Sequence, residues 1–550
     1  MQTCPANPFA VTMLAISSIT ASRFTSTPPE HHVIPASITQ ATSGWASYFP
    51  SWAPSPERAR PSVTKGAAAG FRNPWPSWHK PTAAEVYASF QWGEDKDGYT
   101  ELAAAHLANS PAPEKPQKSK LPTFGDLKEW PESLGAKAAR LLKIEDPDFS
   151  FPKHSKAKAT WLGHAGVLVQ LPSLDPENGR PVGCLFDPIF SDRCSPMGSF
   201  AGPIRSYPPP CQVEDLPPID IVCISHNHFD HMDQTSLISI WRHSRNSVRF
   251  FVPLGNKRLL VEWGIPEDRI TELDWWESVQ LTHPSTPPNA NAPTLTIHCT
   301  PAQHNSFRAT GDTNTALWSS WLIESPTSHH HETNPPEPYR VFFAGDTGYQ
   351  FHPSPAWPPS PNNPNPPQQT KEEEEEEEKF PPCPAFAQIR SRIGPPNLLL
   401  LPVSVGATFA YLRSFVPLPD WASPFPRHSA GVTGANHMPP WDAVKVVRVM
   451  TGEQGDSGGG GRERRGVGAR EGEGKVDKGE GHGVVALAMH WGTFVPDPAD
   501  VLRTLGALEW ACEQQGVGFT RGLEKGAISD GASRKGPVFV ALNHGGSVSI

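Results

Sequence analysis

The sequence predicts a mixed α/β (α+β) protein, one large domain with irregular additions, and three observations carry that reading. Apolar runs of strand length recur from Thr160 to Leu542, and most are continuous rather than alternating, as strands covered on both faces read. Helical patterns lie between some of these runs. Many of the 64 prolines and 45 glycines gather in tails and insertions that cannot pack a core, so one elaborated domain accounts for the 550 residues. Two packed sheets with helices outside follow loosely from this pattern.

In chain order, residues 1–70 read as a disordered or targeting tail, rich in Pro, Ser, Thr and Ala. Trp45, Tyr48, Phe49 and Trp52 are either incidental there or a surface for the lipid–water boundary, which aromatic rings favour. Phe9 to Ala21 is mildly apolar but has no basic residue before it, which makes a poor secretory signal. The stretch up to Pro29 lacks acids, as organelle addresses do, yet holds only Arg23. Residues 71–158 form an N-terminal extension with short helical patterns and the Pro- and Lys-rich stretch Ser110 to Pro122.

The main domain, residues 159–550, then opens with strand-like text. The runs are Thr160 to Gln170, Gly183 to Phe190, Ile219 to Ser225, Val248 to Pro253, Thr294 to Thr300, Ala316 to Glu324, Arg340 to Gly345, Asn397 to Val403, Val484 to His490 and Pro537 to Leu542. Helices are expected near Thr235 to Trp241, Gly255 to Trp263, Trp441 to Met450 and Pro498 to Gln515. In the last, Val501, Leu505, Leu508 and Cys512 share one stripe. Insertions at 325–338, 352–382, 404–434 and 452–481 read as surface excursions. The first carries His329, His330 and His331, either a solvated loop or a metal-binding run.

Formal net charge is -9, of which the run Lys371 to Lys379 supplies -5 and everything else -4. That balance lacks the basic footprint of a nucleic-acid protein. Eight cysteines are scattered without a Cys-x-x-Cys pair, as in a reduced intracellular chain. No apolar stretch is long enough to span a bilayer.

The chemistry concentrates in Ser225-His226-Asn227-His228-Phe229-Asp230-His231-Met232-Asp233, which follows the apolar run Ile219 to Ile224. Residues two apart in extended chain point the same way, so His226 and His228 can clasp one ion. The turn towards the following helix aims Asp230 and His231 at a second point nearby. Imidazoles with a carboxylate suit zinc, and positions left open to water make such a site catalytic. The bland reading is a polar turn rich in histidine. Against it, three further strand-like runs end on His304, Asp346 and His490. Gly345 and Gly348 flank Asp346, as glycines would where backbone comes close to an ion.

The order His-x-His-x-Asp-His, His, Asp, His resembles the metallo-β-lactamase superfamily of binuclear metal hydrolases. The flanking segments Asn73-Pro74-Trp75-Pro76, Thr160-Trp161-Leu162-Gly163-His164-Ala165, Asp187-Pro188-Ile189-Phe190-Ser191, Glu272-Leu273-Asp274-Trp275-Trp276-Glu277, Phe343-Ala344-Gly345-Asp346-Thr347-Gly348-Tyr349 and His490-Trp491-Gly492-Thr493-Phe494 are similar to those of N-acyl-phosphatidylethanolamine-hydrolysing phospholipases D. With interruptions, the resemblance runs from about Phe71 to His544.

The resemblance implies an αββα sandwich holding two zinc ions. One ion is expected on His226, His228 and His304, the other on Asp230, His231 and His490, with Asp346 bridging them. It also implies hydrolysis of N-acyl-phosphatidylethanolamine to N-acylethanolamine and phosphatidic acid. The alternative is another ester, lactone or phosphodiester. His437 matches a family histidine near the substrate phosphate, for phosphate contact or acid catalysis. His164, Asp187 and Asp233 are expected to orient or cap rather than bind metal. Partners are expected to be a phospholipid substrate and a membrane surface met peripherally, with a homodimer also allowed and no nucleic acid. The expected location is intracellular, cytoplasmic or membrane-associated, with a mitochondrial address left open. Two departures bear on specificity. A longer Pro-rich segment precedes His437 where the headgroup should lie, and Phe229 stands where close relatives have tyrosine.

Overall fold

The computed structural model describes residues 14–20, 29–33, 70–82, 84–85, 142–175, 179–196, 202–244, 247–284, 293–326, 337–352, 379–404, 434–452, 483–494, 499–522 and 536–550. The aromatic residues 45–52, the histidines 329–331 and most of each insertion lie outside the described residues.

Eighteen strands are described: β1 (Ala15–Thr20), β2 (His32–Val33), β3 (Gly70–Phe71), β4 (Lys158–Gly163), β5 (Gly166–Leu171), β6 (Val182–Phe186), β7 (Ile221–Cys223), β8 (Arg249–Pro253), β9 (Ile270–Leu273), β10 (Ser278–Thr282), β11 (Thr294–Thr300), β12 (Ser320–Ser325), β13 (Tyr339–Phe343), β14 (Leu398–Pro402), β15 (Val485–Met489), β16 (Gly518–Thr520), β17 (Val538–Val540) and β18 (Ser547–Ser549). Five α-helices join them: α1 (Gln234–His243), α2 (Lys257–Glu262), α3 (Ala385–Arg392), α4 (Pro440–Thr451) and α5 (Ala499–Gln515). One sheet runs β18-β4-β5-β6-β7-β8-β9, and the other runs β1-β10-β11-β12-β13-β14-β15-β17-β16.

The continuous apolar runs are explained by cover on both faces. In the first sheet Val167, Val169, Phe186, Ile221, Cys223 and Phe251 join the core that includes Trp321, Phe343 and Leu399 of the second sheet. Their alternates Leu168, Leu185, Val222 and Phe250 pack instead with Leu237 and Ile240 of α1 and Leu260 of α2. Phe186 stacks on Phe343 across the sandwich at 4.7 Å, and the Trp321 indole donates to the Ile224 carbonyl at 3.0 Å. The buried faces of α4 and α5 join the same core beside the second sheet. The two-sheet sandwich with helices outside is the fold expected.

Strand direction then positions the site. Strands β6 to β9 are mutually parallel, as are β13, β14, β15 and β17. Two antiparallel steps make β11 run with β13 and β4 run with β6. The ends of β4, β7, β11, β13 and β15 are therefore the ends that deliver His164, His226 to His231, His304, Asp346 and His490.

Two expectations change. The run Thr160 to Gln170 is a hairpin, not one strand; β4 and β5 pair antiparallel around His164 and Ala165, with Gly163 at φ +101° and His164 at φ +50°. Within the expected tail, two stretches are built into the domain. Residues 15–20 add β1 to the open edge of β10, with the Arg249 guanidinium bonded to the Leu14 carbonyl at 3.0 Å. Residues 32–33 pair with 70–71 as β2 and β3. A free sheet edge offers unpaired backbone groups, and a mildly apolar segment is enough to take them.

Candidate metal centre

All seven expected ligands come together, in two groups. His226, His228, His304 and Asp346 present ligand atoms within 4.8 Å of one another, and His164, Asp230, His231 and His490 do the same. His437 joins Asp346 and His490 in a further such group. In the first group His226 Nε2 approaches His228 Nδ1 at 2.8 Å, as the two-residue spacing requires, and His304 Nε2 approaches that atom at 3.3 Å. In the second, His164 Nε2 lies 3.1 Å and His231 Nε2 3.7 Å from Asp230 Oδ2.

Asp346 belongs to both. Its Oδ1 is 3.0 Å from His490 Nε2, and its Oδ2 is 3.1 Å from both His231 Nε2 and His437 Nε2.

Each inward nitrogen is aimed by what its ring does on the other side. The His231 Nδ1–H donates to Asp187 at 2.7 Å, which turns Nε2 towards the centre. The His304 Nδ1–H donates to the Asn436 carbonyl at 3.0 Å, and His226 Nδ1 meets the Ser225 hydroxyl at 2.9 Å. Asp187 in turn accepts from the Ser225 amide at 2.7 Å and from its hydroxyl. Asp233 is a helix cap, taking the Ser236 amide at 3.1 Å at the start of α1. His164 is more than a bystander, because its Nε2 reaches the ligand Asp230 and its carbonyl holds the His490 amide at 2.9 Å.

The electrostatics suit a cation site. Burial pushes His226 and His304 well below the ordinary imidazole range, His228 down to about 4 and His164 down to about 3. Those rings are neutral lone-pair donors at neutral pH. Burial alone would raise Asp346 and Asp230, but the surrounding histidines hold both carboxyls well below their usual range. Burial likewise opposes the proton on His231, and Asp346, Asp230 and Asp187 together override it and push that group up. The donor set suits divalent ions: His231 Nε2, His490 Nε2 and Asp346 Oδ1 are buried, face the centre and make no hydrogen bond. Buried polar atoms are seldom left so. Imidazole and carboxylate donors suit zinc, with iron and manganese able to take the same set.

Residues 184–354 match the model of the beta-lactamase superfamily domain, a span that includes His226, His228, Asp230, His231, His304 and Asp346. This stretch is therefore similar to a beta-lactamase superfamily domain. Over 202 residues it is 39% identical to a Caenorhabditis elegans protein named N-acyl-phosphatidylethanolamine-hydrolyzing phospholipase D 1, covering 36% of this chain and 49% of that one. Over 190 residues it is 36% identical to a Saccharomyces cerevisiae protein of the same name designated mitochondrial, covering 34% of each. An uncharacterized protein of Mycobacterium tuberculosis is 36% identical over 214 residues, 39% of this chain and 48% of that one. The matched segments thus span about half or less of these relatives.

Some features escaped the sequence reading. The glycines around Asp346 serve packing between loops. A Cβ on Gly345 would fall 2.5 Å from the Ser225 Cβ, and one on Gly348 would overlap the Ala435 carbonyl. Arg308 was passed over, yet its Nη1 donates to the carbonyls of Asn227 at 3.0 Å and Met232 at 2.9 Å. Its guanidinium lies 4.2 Å from the Phe229 ring centre and 5.0 Å from that of Trp263. Phe229 therefore serves as the platform for the cation that staples the ligand loop. Asn73 brackets the His304 backbone, donating to its carbonyl at 2.7 Å and accepting from its amide at 3.2 Å. The Asn-Pro-Trp-Pro text held that residue in view, but nothing in it named the partner.

Proposed function

We propose that the protein is a binuclear zinc phosphodiesterase of phospholipase D type, cleaving N-acyl-phosphatidylethanolamine to N-acylethanolamine and phosphatidic acid. The observation that carries the reading is Asp346, one carboxylate facing both ligand groups with His437 on one of its oxygens. His226, His228 and His304 would hold one ion, Asp230, His231 and His490 the other, and Asp346 would serve both. Two such ions supply Lewis-acid stabilisation of phosphoryl charge and a readily ionised water as nucleophile.

The chain's own groups do the rest. Two ligand carboxylates leave two dications with a surplus of positive charge, which favours an anionic phosphodiester. Asp187, Asn436 and Ser225 keep His231, His304 and His226 in the orientations their inward nitrogens need. In the reaction, water's hydroxyl adds to phosphorus and the bond from phosphorus to the ethanolamine oxygen breaks. The departing alkoxide takes a proton. His437, buried and 3.1 Å from Asp346, is the group placed to hand it over or to hold the phosphate.

The names of the nematode and yeast relatives support the lipid substrate. Membrane contact would be peripheral. Among the described residues no helix is long and apolar enough to cross a membrane. Phe307, three residues beyond His304, is 41% exposed, an apolar ring beside the ligand loop.

The test is purified protein with zinc, offered N-acylated and ordinary phosphatidylethanolamine, with products resolved by mass. Phosphatidic acid and N-acylethanolamine should appear from the N-acylated lipid. Turnover of short esters, lactones or soluble phosphodiesters with both lipids untouched would replace this reading with a broader metallo-hydrolase.

A further inference from the structure

We propose that His31, His32 and Asp274 form a further divalent-cation site, separate from the hydrolytic centre, in which a zinc-type ion pins the segment 29–33 to the domain. The donor atoms of these three residues lie within 4.8 Å of one another. His31 Nε2 is 2.7 Å from Asp274 Oδ1, and His32 Nε2 is 2.8 Å from Asp274 Oδ2.

That convergence is not what neighbouring residues ordinarily do. Adjacent side chains of a regular strand point to opposite faces. Here a turn closes just before the strand, with the His32 amide on the Pro29 carbonyl at 2.9 Å, and swings both imidazoles to the same side. The rings meet edge to face, centroids 4.6 Å apart at 88°. Both offer the distal nitrogen to one carboxylate. Two imidazoles and a carboxylate are also the donors that Asp230, His231 and His490 bring together at the hydrolytic centre. Such a set binds zinc or a similar first-row ion and leaves positions for water.

The surroundings fit a built site. His31 stacks on Trp275 at 4.3 Å, and Trp275 is stacked by Trp75 at 5.3 Å, so aromatic walls fix the ligands. His31 and Asp274 are buried, and the His32 side chain is only 11% exposed. Among the described residues the segment is otherwise tied to the domain by Phe71, which packs against both imidazoles, and by the Arg72 guanidinium on the Glu30 carbonyl at 2.8 Å. The β2–β3 pairing is two residues long, joined by the Arg72 amide on the His31 carbonyl at 2.9 Å. Two-stranded pairings are marginal alone. Without an ion, each Nε2–H donates to the carboxylate. To accept one, each ring moves its proton to Nδ1, with no net change in charge.

The experiment is equilibrium dialysis of the full chain against zinc, followed by elemental analysis, with far-UV circular dichroism as a fold check. His32→Ala and Asp274→Asn should each bind one ion fewer per chain than the unaltered protein. A His226→Ala/His231→Ala variant, crippled at the hydrolytic centre, should retain one ion that His32→Ala then removes. Equal zinc counts with and without His32, or no ion retained by the double variant, would overturn the proposal. Neither readout depends on which substrate the hydrolytic centre takes.

Discussion

Asp346 and His231 come from different sheets and meet at 3.1 Å, the carboxylate delivered at the end of β13 and the imidazole at the end of β7. The contact closes the sandwich at the edge where the ligand strands end, and it makes Asp346 answerable to both ligand groups. Asp346→Asn keeps the shape but removes the shared charge, so turnover should fall below detection. His164→Ala removes a group that orients Asp230 and should cost about 10–100-fold. Steady-state kinetics on the zinc-loaded variants compare the two. Equal and mild losses would show that Asp346 is not shared between ions.

Asp187 acts one bond further out. It takes the Nδ1 proton of His231 and two donors from Ser225, so it fixes both a tautomer and the strand end that leads into the ligand loop. Asp187→Asn can still sit in the space but can donate to His231 as readily as accept from it. Zinc affinity should drop about 10–100-fold at the ion held by Asp230, His231 and His490. Competition with a chelator measures it, and an unchanged affinity would mean that the Ser225 contacts alone suffice.

Arg308→Lys is expected to loosen the ligand loop without altering a ligand. The guanidinium sits between Phe229 and Trp263 and reaches two carbonyls that bracket Phe229, Asp230 and His231. Lysine keeps the charge and loses the planar fork. The lost stacking and one hydrogen bond amount to about 1–3 kcal/mol of stability. Chemical denaturation should show the loss, and zinc release should quicken. A variant as stable as the parent would show that the loop holds itself.

How much of this could be read beforehand follows from the range of the interactions. The strand runs were legible because burial on both faces leaves an unbroken apolar string, as in Leu398 to Pro402. The ligand motif was legible because His226, His228, Asp230 and His231 are local in sequence. The hairpin inside Thr160 to Gln170 was hidden, since its turn residues Gly163, His164 and Ala165 are themselves buried and do not read as a surface turn. The edge strand β1 was hidden as well, because its partner β10 lies some 260 residues away and a weakly apolar segment reads the same paired or unpaired. Arg308, Asn73 and Gly348 act on residues distant in the chain, and their role exists only once the loops have met.

Phe307 offers a way to separate the lipid from the chemistry. Its backbone amide is tied to Asn227 at 3.1 Å while its ring stands 41% exposed. Phe307→Ser therefore removes apolar surface without untying the loop. Burying a phenyl ring is worth about 1.5–3 kcal/mol, so vesicle affinity should fall roughly tenfold or more. KM for vesicles should rise, with kcat on detergent-dispersed lipid nearly unchanged. A fall in kcat on both would place the ring in the reaction rather than at the lipid.

The last prediction concerns Asn73, which links the N-terminal extension to the metal centre. Its side chain makes a two-point pair with the backbone of His304, and Ser77 meets the Gln303 side chain, whose amide donates to the Ala435 carbonyl at 2.9 Å. Next along, Asn436 accepts the His304 Nδ1 proton and His437 faces Asp346. One patch of the extension thus bears on both His304 and His437. Asn73→Ala leaves the His304 amide and carbonyl to find other partners, a loss of about 1–3 kcal/mol. If the link matters to function, kcat should fall more than tenfold while vesicle KM stays within twofold, and zinc should leave faster from the ion held by His226, His228 and His304. Asn73→Asp restores the acceptor for the His304 amide but not the donor for its carbonyl, so it should recover part of the loss. Full activity in Asn73→Ala would mean that the strand end holds His304 in place unaided.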